Sequence, residues 1–139
     1  MPFDLERFVD AQRSTWDTAL AELRAGRKES HWMWFVFPQL RGLGRSSTSR
    51  FYGLAGLDEA RAYLEHPVLG PRLGMACDAI LGAPGGAVEI LGPIDAMKLR
   101  SCATLFHRAA PEDPRFPAVL DRFFGGAPDP ATDELLERP

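Results

Sequence analysis

Cysteine is scarce: Cys77 and Cys102 are the only two in 139 residues. At most one bridge can form, so the fold must stand on its core rather than on a disulfide framework. Both thiols fall on apolar faces of predicted helices, and free cysteine is among the most buried residue types. Two buried free thiols are therefore expected. Histidine is also sparse, and His31, His66 and His107 lack metal-ligand spacing, so no metal site is expected. No apolar run approaches the roughly 20 residues that cross a bilayer. The opening Met-Pro-Phe-Asp-Leu-Glu has no basic region leading into an apolar one, which excludes a signal peptide. These absences predict a soluble, cytoplasmic protein with no membrane partner. There is no basic excess either, and a net charge of -3 argues against a nucleic-acid partner. Repeats, linkers, low-complexity tracts and hairpin signals are all missing.

What is present forms a core. The composition, 45% hydrophobic and 25% charged, is that of a globular domain, and a chain of this size buries close to two-thirds of its unfolded surface. We read residues 1–139 as one domain. Apolar residues recur at three- and four-residue steps through most of it. The predicted fold is all-α, a compact multihelical domain of about six to eight helices with short loops.

The first helix carries Leu5, Phe8, Val9, Gln12, Trp16, Ala19, Leu20 and Leu23 on one stripe. Asp4 is its expected N-cap and Gly26 its left-handed stop. Gln12 is the lone polar member of that stripe. A buried amide needs partners, so it is expected to bind the backbone of the aromatic segment or a ligand. Further starts are expected at Asp58, at Gly70-Pro71, at Asp95, at Asp113-Pro114 and at Asp129-Pro130. His66-Pro67 and Gly125-Gly126 are expected stops.

One stretch stands apart. From Arg27 to Ser47 the chain holds Trp32, Trp34, Phe35 and Phe37, flanked by Lys28, Ser30, Gln39, Arg41, Arg45 and Ser46. Each such ring buries roughly 150–250 Å² when covered, so the run is either core or pocket wall. Propensity favours a strand, but no partner strand is in view. We read a short helix from His31 to Phe35, capped by Ser30. Two residues apart on a helix is about 200° around its axis. One tryptophan then enters the core while the other faces a groove.

Two polar constellations accompany it. Gly42-Leu-Gly44-Arg-Ser46 allows close backbone approach and suits an anion. It is neither a Walker loop nor a dinucleotide fingerprint, and no cofactor is expected. On the helix opening at Asp95, Lys98, Ser101 and Thr104 share a face. Lys98 lies near the positive end of that helix, a conflict that an anionic ligand would relieve. His31 and Lys98 are the candidate catalytic groups.

The order of motifs resembles a known family. Asp4-Leu5-x-Arg7-Phe8-Val9-x-Ala11-Gln12, Gly26-Arg27-Lys28 and His31-Trp-Met-Trp-Phe-Val-Phe-Pro-Gln39 are similar to the bacterial domain-of-unknown-function family DUF1810, sometimes mislabelled calpastatin. So are Tyr52-Gly53, His66-Pro67-Val68-Leu69-Gly70-x-Arg72-Leu73 and Lys98-Leu99-x-Ser101-x-x-Thr104-Leu105-Phe106. The resemblance covers nearly the whole chain and implies a compact helical domain. It implies no catalytic residue, and Cys102 stands where serine is as frequent, which counts against an essential thiol.

These readings converge on a small-molecule-binding protein or enzyme. Its ligand is expected to be anionic, phosphorylated or nucleotide-like, held between segment 28–52 and the helix starting near 95. Lys28, His31, Trp34, Gln39, Ser46, Ser49, Tyr52, Lys98 and Ser101 are the expected ligand-binding residues. The alternative is a non-enzymatic helical interaction domain, or a homodimer, that uses the aromatic run as its contact.

Overall fold

The structure is a computed structural model that describes residues 3–137. Among them the chain forms ten helices rather than six to eight: α1 Glu6–Arg13, α2 Trp16–Ala25, α3 Met33–Val36, α4 Ser47–Tyr52, α5 Leu57–Glu65, α6 Leu69–Gly82, α7 Ala87–Leu91, α8 Pro93–Ala109, α9 Arg115–Phe124 and α10 Pro130–Glu137. The additional helices are the short α4 and α7 and the separate α2 left by a break in the predicted first helix. At that break the Thr15 hydroxyl donates to the Ala11 carbonyl at 2.8 Å, a back-bond that bends helices. The stripe survives the bend, since Phe8, Gln12, Trp16, Ala19, Leu20 and Leu23 are all buried.

Several predicted caps are displaced. Leu5 rather than Asp4 precedes α1, Gly56 rather than Asp58 precedes α5, and α6 begins at Leu69, ahead of Gly70-Pro71. The aromatic helix is Met33–Val36, with Trp32 at its cap position and no capping side chain. Ser30 instead donates its hydroxyl to Glu22 at 2.5 Å. α8 starts at Pro93, with proline in its first turn, so Asp95 sits inside the helix with its carboxylate released for other work. Asp129 acts as expected, but Pro114 rather than Asp113 precedes α9. Asp113 accepts from the Arg115 amide at 3.0 Å, and Asp129 from the Thr132 amide at 3.2 Å. Gly26 and Gly125 end α2 and α9 with φ of 75° and 61°.

The core is a ring of four helices in which α5 packs on α6, α6 on α9, α9 on α8 and α8 on α5. α2 lies outside against α6, while α7 and α10 cover α8. The α5–α6 turn is so close that a Cβ on Gly70 would stand 2.0 Å from the Leu64 carbonyl oxygen. Aromatic rings run through this core in sequence. Phe8 meets Tyr63 edge-on at 5.1 Å, Tyr63 meets Phe106 at 5.6 Å, and Phe106 stacks on Phe116 at 5.5 Å. Cys77 and Cys102 are buried free thiols within it.

Segment 26–56 wraps one side of the ring. Its entry is fixed by Glu22 of α2, whose carboxylate accepts from the Glu29 and Ser30 amides, the Ser30 hydroxyl and the Trp32 indole. Its far end is closed by an isolated parallel bridge between Leu40 and Leu54, with Arg41 N–H donating to Leu54 at 2.7 Å and Leu54 N–H to Gln39 at 2.9 Å. Arg7 locks the exit. It pairs with Glu59 at 3.0 Å, both side chains almost fully buried, and donates to the Phe51 and Gly53 carbonyls and to that of Asp4. Among the described residues no helix is long and apolar enough to cross a membrane.

Candidate functional site

The two tryptophans part, with Trp32 at the cap position of α3 and Trp34 inside it. Trp32 is wholly buried, and its indole N–H donates to Glu22 at 2.9 Å. Trp34 remains half-buried. Gln12 reaches the same turn from α1, donating its amide to the Phe35 carbonyl at 2.6 Å and to the Tyr63 hydroxyl at 3.1 Å. It therefore binds the backbone of the aromatic segment, as one of its two expected roles required, and Arg72 donates to its oxygen at 3.3 Å. α3 is thus pinned on its core side and can present Trp34 outward.

Two lysines meet beside it. Lys28 Nζ lies 2.9 Å from one oxygen of Asp95, and Lys98 Nζ lies 3.3 Å from the other. The side chains of Lys28, Lys98 and Asp95 are 9%, 17% and 17% exposed. Each ammonium also faces an indole, Lys28 over Trp32 at 5.2 Å and Lys98 over Trp34 at 3.8 Å, within the range of cation–π attraction. Lys28 is held in place because its amide donates to the Ile90 carbonyl at 2.8 Å. The conflict between Lys98 and the start of its helix is thus relieved from within the chain by Asp95, not by a ligand. That correction follows from the earlier start of α8. Two ammonium groups nevertheless share one carboxylate, so the cluster keeps a net positive charge in a poorly solvated place.

Trp34 also lines a narrow cleft with Gln39, Leu40, Gly44, Ser49, Tyr52 and Gly53. Its volume is about 10 Å³, the space of roughly one water. Tight backbone makes it narrow. A Cβ on Gly44 would stand 2.6 Å from the Ser49 hydroxyl, and one on Gly53 would stand 2.7 Å from Arg41 Cα. Tyr52 is fixed by Phe8 at 5.8 Å and Phe35 at 5.3 Å between ring centres.

The structure therefore gathers Lys28, Trp34 and Lys98 around Asp95, and Gln39, Ser49 and Tyr52 around the other side of Trp34. Three expected residues stand elsewhere. His31 is exposed and lines neither group. Ser46 is exposed and caps α4, accepting from the Ser49 amide at 3.1 Å. Ser101 is buried and donates to Asp129 at 3.0 Å and to the Met97 carbonyl at 3.1 Å, which turns it toward α10. Thr104 serves the same junction by accepting from the Asp129 amide at 2.9 Å. Asp95 is the site residue that sequence reasoning assigned a different task. Its three-residue spacing from Lys98 was the available signal. No group of three or more His, Cys, Asp or Glu able to hold a metal occurs among the described residues.

Burial disfavours thiolate at both cysteines. It pushes Cys77 up to about 12 and Cys102 well above the usual thiol range. Neither is a nucleophile in this fold.

The structure is similar to the crystal structure of the conserved hypothetical protein Rv1873 from Mycobacterium tuberculosis, with a TM-score of 0.97, 48% sequence identity and 100% of each chain covered. No match is found among curated proteins. A family profile described as "Protein of unknown function (DUF1810)" matches residues 2–136, nearly the whole chain, and the chain belongs to that family.

Proposed function

We propose that this protein binds a small anionic molecule at the outer face of Trp34. The supporting observation is that Lys28 and Lys98, both largely withdrawn from water, share the single carboxylate of Asp95. The uncompensated charge lies next to a half-buried indole. A phosphoryl or carboxylate group of the ligand approaches Lys98, and the rest of the ligand lies against the edge of the half-buried Trp34 ring. The narrow cleft beyond it admits only a water-sized group, offered the polar atoms of Gln39, Ser49 and Tyr52. The test is a thermal-shift and calorimetric series with phosphate, pyrophosphate and AMP on the intact protein. Saturable stabilisation is expected, about 2.7 kcal/mol at a hundredfold excess over the dissociation constant, and both Lys98→Met and Trp34→Leu should abolish it. Equal binding by Lys98→Met, or no response to any of the three probes, overturns the proposal.

A second reading, an interaction domain or homodimer, has one observation in its favour. Val88, Ile94 and Met97 are exposed beside this site, at 58%, 72% and 72%, and Ile94 is one helical turn from Lys98. Light scattering separates the readings: a dimer dissolved by Met97→Lys supports the second, and a monomer across the micromolar range removes it.

A further inference from the structure

A separate cavity, lined by Leu40 of the Leu40–Leu54 bridge but not by Trp34, lies beside the start of α5. Its volume is about 640 Å³, within the range of small-molecule sites, which is roughly 300–1,000 Å³. Leu40 and Leu57 come from the bridge and from the start of α5, Leu135 and Leu136 come from α10, and Phe3, 39% exposed, stands at the edge.

The polar groups of the cavity leave one charge over. Glu59 is spent on the buried Arg7 and on the Ala55 amide, at 3.0 and 2.7 Å. Asp58 pairs with Arg61 at 3.3 Å, and Arg61 also donates to the Ala109 carbonyl at 3.2 Å. Arg41 has no carboxylate partner among the described residues, and its side chain donates to the Gly53 carbonyl at 3.0 Å. Most of its five donors are therefore open. The start of α5, which has no capping side chain, forms part of the same wall.

From an apolar lining with one uncommitted guanidinium we infer that this cavity is a second binding site, for an amphipathic monocarboxylate. The carboxylate is received by Arg41 as a two-pronged pair, and the apolar body covers Leu57, Leu135 and Leu136. A cationic ligand is disfavoured because both carboxylates of the cavity are already paired. A neutral apolar ligand would leave Arg41 unanswered.

Octanoate is the probe, with 1-octanol as its uncharged counterpart, titrated by calorimetry and by ¹H–¹⁵N NMR on the full chain. Octanoate is expected to bind at one site and to shift the amides of Arg41, Leu57 and Leu135. Arg41→Gln should weaken it at least tenfold, and Leu136→Asp should weaken it as well. Octanol should bind more weakly than octanoate, and equally to the wild type and Arg41→Gln. Arg41→Lys, which keeps the charge but loses the fork, should fall between. Octanoate binding unaffected by Arg41→Gln in a folded variant overturns the assignment, as do shifts confined to other surfaces or no binding at all.

Discussion

Lys98 Nζ stands 3.8 Å from the centre of the Trp34 ring while pairing with Asp95 at 3.3 Å. The ammonium is therefore held between a π face and a carboxylate that also serves Lys28. Removing the carboxylate strands two charges, whereas removing one ammonium leaves a complete pair. Asp95→Asn should cost about 2–3 kcal/mol, somewhat below a fully buried pair. Lys98→Met, which keeps the stem that packs on the indole, should cost less than about 1 kcal/mol. Urea denaturation with an unchanged slope measures both, and equal costs would show that Asp95 is not the tie.

Glu22 makes stability depend on acid. Its partial burial raises its pKa, but hydrogen bonds from the Ser30 hydroxyl, the Glu29 and Ser30 amides and the Trp32 indole outweigh that and hold it at about 2, down from 4.5. A carboxyl depressed on folding stabilises above its unfolded value and loses that contribution as pH falls through its folded one. The contribution is therefore complete above about pH 4.5 and gone by about pH 2, worth roughly 1–2 kcal/mol after allowance for solvent at its open side. Glu22→Gln should flatten the stability profile over that window, as read by denaturant titrations at pH 3 and 6.

Gly70, in the first turn of α6, packs directly against the end of α5. A methyl group there would meet the Leu64 carbonyl oxygen at 2.0 Å, so Gly70→Ala must push α5 from α6. The expected loss is about 3 kcal/mol, at the upper end of overpacking costs, seen as a lowered thermal midpoint. An unshifted midpoint would mean that the helices separate freely here.

Gln12 joins α1, α3 and α5 through the Phe35 carbonyl and the Tyr63 hydroxyl. Gln12→Leu removes their donor and should cost about 1–3 kcal/mol. Tyr63→Phe should cost less in the Gln12→Leu background than in the wild type, by about 0.5–1 kcal/mol of coupling. A double-mutant cycle checks this, and strict additivity would separate the two residues.

Cys77 and Cys102 should resist an aromatic disulfide reagent in the folded protein at pH 8, and both should react at once in denaturant. Rapid labelling of either under native conditions would contradict the burial that holds their thiols protonated.

Much of this fold was legible, and the failures have physical reasons. The stripe of α1 and α2 was readable because burial depends on angular period. The period tolerates the Thr15 bend, so the bend itself was invisible. The partition of Trp32 and Trp34 was expected from a helix holding both rings, whereas Trp32 stands at the cap position, just outside α3. Asp95 was misread because aspartate suits both a cap and an ion pair, and proline at α8's first position sets the earlier start that decides between them. Lys28 was expected near this helix, but its ion pair with Asp95 has no local signal, since the two residues lie far apart in the chain. Ser101 shares a helical face with Lys98 by spacing, but a wide face can serve two neighbours, and α10 takes the serine. Arg41 stood out as one basic residue among several, and its lack of a carboxylate partner emerges only when all the others have been paired.

The bridge between Leu40 and Leu54 gives residues 41–53 their own anchorage. Closing a loop of that length has an entropic cost that grows only slowly with length, and here two backbone bonds and the Arg7 clamp offset it. In hydrogen exchange, the amides of Arg41 and Leu54 should survive as long as those of short helices, while Arg45 and Ser46 between them exchange within seconds. Substitutions confined to Arg45 and Ser46 should therefore leave the stability of the four-helix ring unchanged, whereas Ser49, Tyr52 and Gly53 stay tied to Trp34 and Phe8.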